Sequence, residues 1–225
     1  MYFTQSTFDF LDELTANNNR DWFAANKDRY TDDVQTPGRR LIDAVAGPLR
    51  RVAPFLVASS SKSGGSMTRI YRDTRFSKDK TPYKNYVGIQ FRHDAGKDIH
   101  APGIYIHVAT DECFIGAGCW QPEPSVLAKI RARIDGDAKA WKRARDEKKF
   151  AASFTLWGEQ LKTSPRDYPK DHPMIDDLRR KDFIGLSPVT RKQMMSDDLV
   201  AVTIERVKAS RSLMRFLCNA IGVPY

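Results

Sequence analysis

The sequence predicts an α+β fold, an antiparallel central sheet flanked by helices, on three observations. Apolar residues recur at helical spacing through residues 6–49. Two alternating stretches and a third apolar one, joined by short connections, then occupy residues 86–118, and helical spacing dominates again from 125 to the end. Helices, then strands, then helices suit a sheet covered by flanking helices, and short connections favour an antiparallel meander. No linker or internal repeat divides the chain, so residues 1–225 are expected to form a single domain.

The elements follow in order. Ser6-Thr7 precede Phe8, Phe10, Leu11 and Leu14 at helical spacing and supply a plausible cap. Asn17-Asn18-Asn19 ends that helix, because short amide side chains compete for backbone hydrogen bonds. A second helix is expected from Arg20 or Asp21 through Trp22, Phe23, Tyr30 and Val34. Pro37 can open a third, with Leu41, Ile42, Val45 and Leu49 on one face. Ser59–Ser66 is rich in serine and glycine and reads as a turn region before a short strand at Met67–Ile70.

Alternation then marks strands at Tyr86–Arg92 and Gly103–Ala109, with a turn at 94–98 between them, and Glu112–Gly118 is a third apolar stretch. Ser125 caps a helix that Gly136 interrupts, Asp137 restarts a basic helix, and 153–157 can form a strand. Three prolines between 165 and 173 require an extended loop. A short helix to about Lys181 and a long one from Ser196 to a stop at Gly222 complete the chain.

The net charge is +9, and it is unevenly placed. Residues 69–84 hold six bases and two acids, and residues 129–149 nine bases and four acids. Localised positive charge concentrates anions, whether phosphate metabolites, nucleic acid or acidic proteins. In 129–149 the interspersed acids equally suit a solvated helix face. No apolar run approaches the roughly 18 residues of a membrane span. The first residues have neither the basic nor the apolar region of a secretory signal. Three cysteines, Cys113, Cys119 and Cys218, in mostly apolar surroundings suit reduced thiols. Together these predict a cytoplasmic protein. Four histidines without CxxC or HxxxH spacing argue against a structural zinc site, and no metal ligand is assigned.

Three places can carry chemistry. The first is Arg69–Lys84, where Arg69, Arg72, Arg75, Lys78, Lys80 and Lys84 can grip an anion. Within it Asp73 and Asp79 can orient the arginines in an internal salt-bridge network, or act as acid or base themselves. Tyr71, Phe76 and Tyr83 suit core anchors of such a loop. The second is Asn17–Lys27, where Asn19, Trp22 and Lys27 stand at a helix start whose free N–H groups favour anions, or where they simply cap the helix and bury Trp22. The third is His107, in line with Tyr105 on the strand face opposite Ile104, Ile106 and Val108. By intrinsic pKa His107 is the best general acid or base, although a lone strand histidine also serves structure. His93, His100 and His172 fall in expected loops. Gly116-Ala-Gly118 lacks phosphate-loop spacing and suits tight packing at a sheet edge.

Over nearly its whole length the chain resembles the domain of unknown function 2461 family, a group of conserved hypothetical proteins. The resemblance rests on 10–27, on Arg69–Lys84, on Gly103–His107, on Gly116–Trp120, and on Leu161–Pro165 with Asp171-His-Pro173. Asp167 stands where the family leads one to expect a glycine before Tyr168. The resemblance implies no activity, cofactor or catalytic residue.

The residues therefore predict a basic cleft for a phosphate-bearing small molecule or nucleotide. Asp73, Asp79 and His107 are the candidates for proton transfer if hydrolysis or group transfer occurs there. A nucleic-acid-binding module is the alternative, and a non-catalytic scaffold with a structural Arg/Asp loop the third. No membrane partner is expected, the cofactor is unknown, and the oligomeric state is unread.

Overall fold

A computed structural model describes residues 1–95 and 101–225. The architecture is α+β, with a six-stranded, fully antiparallel sheet in the order β1-β2-β3-β4-β6-β5. The strands are β1 Leu56–Val57, β2 Val87–His93, β3 Gly103–Val108, β4 Cys113–Cys119, β5 Thr155–Trp157 and β6 Phe183–Pro188. The meander β2-β3-β4 matches the alternation in the sequence to within a residue. His93 belongs to β2 instead of a loop, and it is buried. Part of the expected turn at 94–98, and His100, lie outside the described residues.

Period-two alternation decides which side chains face the core. Ile89, Ile106 and Ile115 align across β2, β3 and β4, as do Phe91, Ile104 and Ala117, and all six are fully buried or nearly so. Helices α4 (Thr36–Val52), α10 (Leu199–Ala209) and α11 (Arg211–Ile221) pack on the sheet. The opposite face aligns Gly88, His107, Phe114 and Pro188, and beside them Gln90, Tyr105, Gly116 and Leu186.

The first helix, α1, runs Gln5–Ala16, starting ahead of the expected cap at Ser6-Thr7. Thr7 is instead buried, and its hydroxyl donates to the Asp33 carbonyl at 2.6 Å. The single helix expected from Arg20 to Val34 is broken. α2 is Arg20–Ala25 and α3 Lys27–Arg29, and a π-helical stretch, Tyr30–Gln35, leads into α4. Asn26 makes the break: its amide donates to the Trp22 carbonyl at 2.9 Å and competes with the next helical turn. Pro37 lies in the first turn of α4, as expected.

The expected strand at Met67–Ile70 reduces to isolated bridges, Met67 with Ile89 and Tyr71 with Tyr83. α5 (Pro124–Gly136), α6 (Ala138–Arg145) and α7 (Lys148–Ser153) follow the sheet, and Asp137 caps α6 by accepting from the Ala140 N–H at 2.9 Å. After the proline loop the helix α8 spans only Ile175–Leu178. β6 and the short α9 (Arg191–Met194) have no counterpart in the sequence expectations. The single C-terminal helix expected from Ser196 is two helices that meet at Ser210, whose buried hydroxyl donates to the Val207 carbonyl at 2.9 Å. Gly222 ends the second with φ 81°, as a glycine stop should.

Gly116 and Gly118 lie in β4, an interior strand, so their packing role is not at a sheet edge. Among the described residues Gln121 is the one non-glycine with positive φ. Asp167 thus keeps ordinary backbone, and the turn before Tyr168 needs no glycine. No helix among the described residues is long and apolar enough to cross a membrane.

Candidate functional site

Two of the sequence's three candidate segments meet. The Asn18 side chain donates to the Tyr83 carbonyl at 2.9 Å and accepts from the Tyr83 N–H at 3.0 Å. It thereby imitates a strand neighbour for a residue 65 positions away. Tyr83 is buried, with its ring stacked on Phe23 at 4.2 Å. The bridge from Tyr71 to Tyr83 and the Arg72 N–H to Pro82 carbonyl bond, 2.9 Å, close the base of the basic loop. Replacing Asn18 with alanine leaves both Tyr83 backbone groups short of a partner. A loss of about 2 kcal/mol is expected, read as a lower urea midpoint together with faster proteolysis within 71–82.

Between the start of α2 and this loop lies a groove of about 910 Å³. Arg20, Arg72 and Lys80 line it with Asn18, Asn19, Tyr71, Thr74, Thr81, Pro82 and Tyr83, and its lining includes no carboxylate residue. The three cations differ in what holds them. Arg72 pairs with Asp79 and also donates to the Thr81 hydroxyl. Lys80 donates to the Thr74 carbonyl at 2.8 Å, and neither Lys80 nor Arg20 has a carboxylate partner among the described residues.

The two aspartates of the loop hold arginines. The Thr81 N–H, with the Arg72 guanidinium and the Thr81 hydroxyl, keeps the Asp79 carboxyl down at about 2. The Arg75 guanidinium and N–H do the same for Asp73, also to about 2. Arg75 clasps Asp73 at 2.9 and 2.7 Å, on exposed surface outside the groove. Both carboxylates are ionised at neutral pH and too weakly basic to take protons readily.

The remaining candidates scatter. Asn19 lines the groove, but its side-chain oxygen is used to cap α2, accepting from the Trp22 N–H at 2.9 Å. Trp22 is half-buried against Phe10, 5.6 Å between rings. Lys27 is exposed on α3, and Lys78 and Arg69 are exposed on the loop, all outside the groove lining. Lys84 lies 5.9 Å from the Tyr86 ring centroid, and burial with the nearby Arg69 charge lowers its pKa. Arg20, in sequence only a helix start, is the groove cation that composition does not mark. Its place next to the Asn17–Asn19 break was the available signal.

His107 belongs to a different environment. Its ring stacks on Phe114 at 4.7 Å and meets Tyr86 at 4.6 Å, and the Tyr105 hydroxyl is 3.4 Å from Nδ1. It does not line the groove. Through Tyr86 it adjoins Lys84, and Arg72 also acts electrostatically on the Tyr86 hydroxyl. Burial, only partly opposed by Asp111, lowers its pKa to about 4.

Between about pH 6.5, the ordinary histidine value, and about 4, the unfolded chain therefore binds a proton that the native ring does not. Stability from this site is full above about 6.5, falls as the pH drops, and levels off below about 4. His107 is half-buried, so solvent screening reduces the effect, and about 2 kcal/mol is expected. His107→Phe should flatten the pH dependence of urea midpoints in that window.

A model of the conserved hypothetical protein family DUF2461 matches residues 6–216, and the chain belongs to that family. No curated protein and no solved structure matches it.

Proposed function

We propose that the groove between α2 and the 71–83 loop binds a phosphate-bearing small molecule or nucleotide. The observation that carries this is its lining, three cations and no carboxylate residue. Guanidinium groups and a lysine ammonium suit phosphate oxygens. Tyr71, Pro82 and Tyr83 add apolar and aromatic surface for a base or sugar, and the volume is within the usual range for small-molecule sites. The reading is one of binding. His107 does not line the groove, and the two loop aspartates are committed to arginines, so no proton-transfer group is assigned to it.

The test is a thermal-shift screen of inorganic phosphate, pyrophosphate and nucleotides. A ligand at a hundred times its Kd adds about 2.7 kcal/mol, a rise of several degrees for a chain of this size. No stabilisation by any phosphate compound would remove the proposal.

One observation favours a second reading, single-stranded nucleic acid. Phe76 is 95% exposed, with the Arg75 guanidinium 5.8 Å from its ring centroid. Bases stack on such rings while cations meet the backbone. That reading requires an oligonucleotide affinity that falls steeply with salt and that drops again in Phe76→Ala.

A further inference from the structure

A second cavity, about 390 Å³, shares no lining residue with the groove. The β3–β4 turn, the start of β4, the end of β6 and the first residue of α9 line it, and it opens to solvent. Asp111, Glu112 and Arg191 are its charged residues, and Phe114, Leu186 and Val189 part of its apolar wall. None of the three charged side chains forms an ion pair with another, or with any charged group among the described residues. All three nevertheless act electrostatically on one thiol, that of Cys113, which also lines the cavity.

Arg191 is held without a charge partner. Its guanidinium stacks 4.1 Å from the ring centroid of the fully buried Phe8. Its Nε and Nη2 are buried with no hydrogen-bond partner, whereas Arg39, Arg179 and Arg206 each leave only one such nitrogen. Arg191 lines the cavity without a carboxylate partner, so an anion there meets its charge without displacing an ion pair. Two acids facing the same cavity without a cation offer the complementary half.

We propose that this cavity binds a small zwitterion with an apolar body, of the α-amino acid class. Its carboxylate meets Arg191, its ammonium meets Asp111 or Glu112, and its side chain meets Leu186 and Val189. Opposite charges that share a cavity without pairing select a ligand carrying both. The volume is near the low end for small-molecule sites, which suits a single amino acid.

L-leucine, isocaproate and isoamylamine share the branched body and differ in charge. Two-dimensional NMR of the full chain reads their binding as amide shifts. L-leucine is expected to give saturable shifts confined to 109–114 and 186–191. Isocaproate, lacking the ammonium, and isoamylamine, lacking the carboxylate, should bind at least about tenfold more weakly. Arg191→Met should abolish binding of leucine and isocaproate. If its lost packing on Phe8 unfolds that variant, the exposed-turn double variant Asp111→Asn, Glu112→Gln decides instead. It should cut leucine affinity about tenfold and leave isocaproate unchanged or improved. Absence of saturable shifts with millimolar leucine, equal affinity for leucine and isocaproate, or an unaffected double variant would overturn the proposal.

Discussion

Arg20→Ala combined with Lys80→Ala is expected to reduce pyrophosphate affinity about a hundredfold or more while leaving the fold intact. Both cations line the groove, and neither has a carboxylate partner among the described residues. A ligand phosphate would thus meet them without displacing an existing ion pair. A hydrogen bond to a charged group contributes about 1.5–3 kcal/mol, and two together correspond to at least about two decades in Kd. Both side chains are exposed, so stability should change by about 0.5 kcal/mol or less. Arg72→Ala is a less clean probe, because it also releases the Asp79 carboxylate, which would then repel the ligand. Calorimetric titration of wild type and variants, with urea unfolding of each, checks both halves of the expectation.

Gly118→Ala is expected to cost about 3–5 kcal/mol. Gly118 has φ 130°, and a Cβ placed there would lie 2.1 Å from the Phe183 carbonyl oxygen and 3.0 Å from the Ile184 Cα. Those atoms belong to the partner strand β6, so relief requires pulling apart a ladder in the sheet interior. Left-handed strain and overpacking each cost about 1–3 kcal/mol. Gly136, the last residue of α5, is the control: nothing beyond its own helix and chain neighbours lies within 4 Å of an added Cβ, and Gly136→Ala should stabilise by about 0.4–1 kcal/mol. Urea midpoints at constant m-value measure both.

The parts of the fold legible in the sequence are those where apolar side chains keep a regular period along the chain. In β2 and β3, Val87, Ile89 and Phe91 and then Ile104, Ile106 and Val108 alternate with other residues, although β2 is buried on both faces. β6 was not legible: Phe183-Ile184-Gly185 is buried at every position, and the strand carries a glycine and ends in Pro188. The C-terminal break was hidden because Ser210 interrupts the backbone without disturbing the apolar spacing on either side.

The candidate site divides in the same way. Its two segments, at 17–27 and 69–84, are conspicuous in composition. Their contact through Asn18 and Tyr83 spans 65 positions and leaves no periodic trace. The fate of each arginine depends on which carboxylate folds back to it, so Arg75 and Arg72 look alike in sequence and differ in the structure. The second cavity was invisible for a similar reason, since 109–114 and 186–191 lie far apart in sequence and meet through strand pairing and the Val189 N–H to Cys113 carbonyl bond.

The most direct measurement is amide shift mapping of the wild-type chain titrated with pyrophosphate at fixed ionic strength. The account predicts saturable shifts concentrated at residues 18–24 and 71–83, lost in the Arg20→Ala, Lys80→Ala variant. No saturable shift, or shifts that leave those residues unmoved, would contradict it.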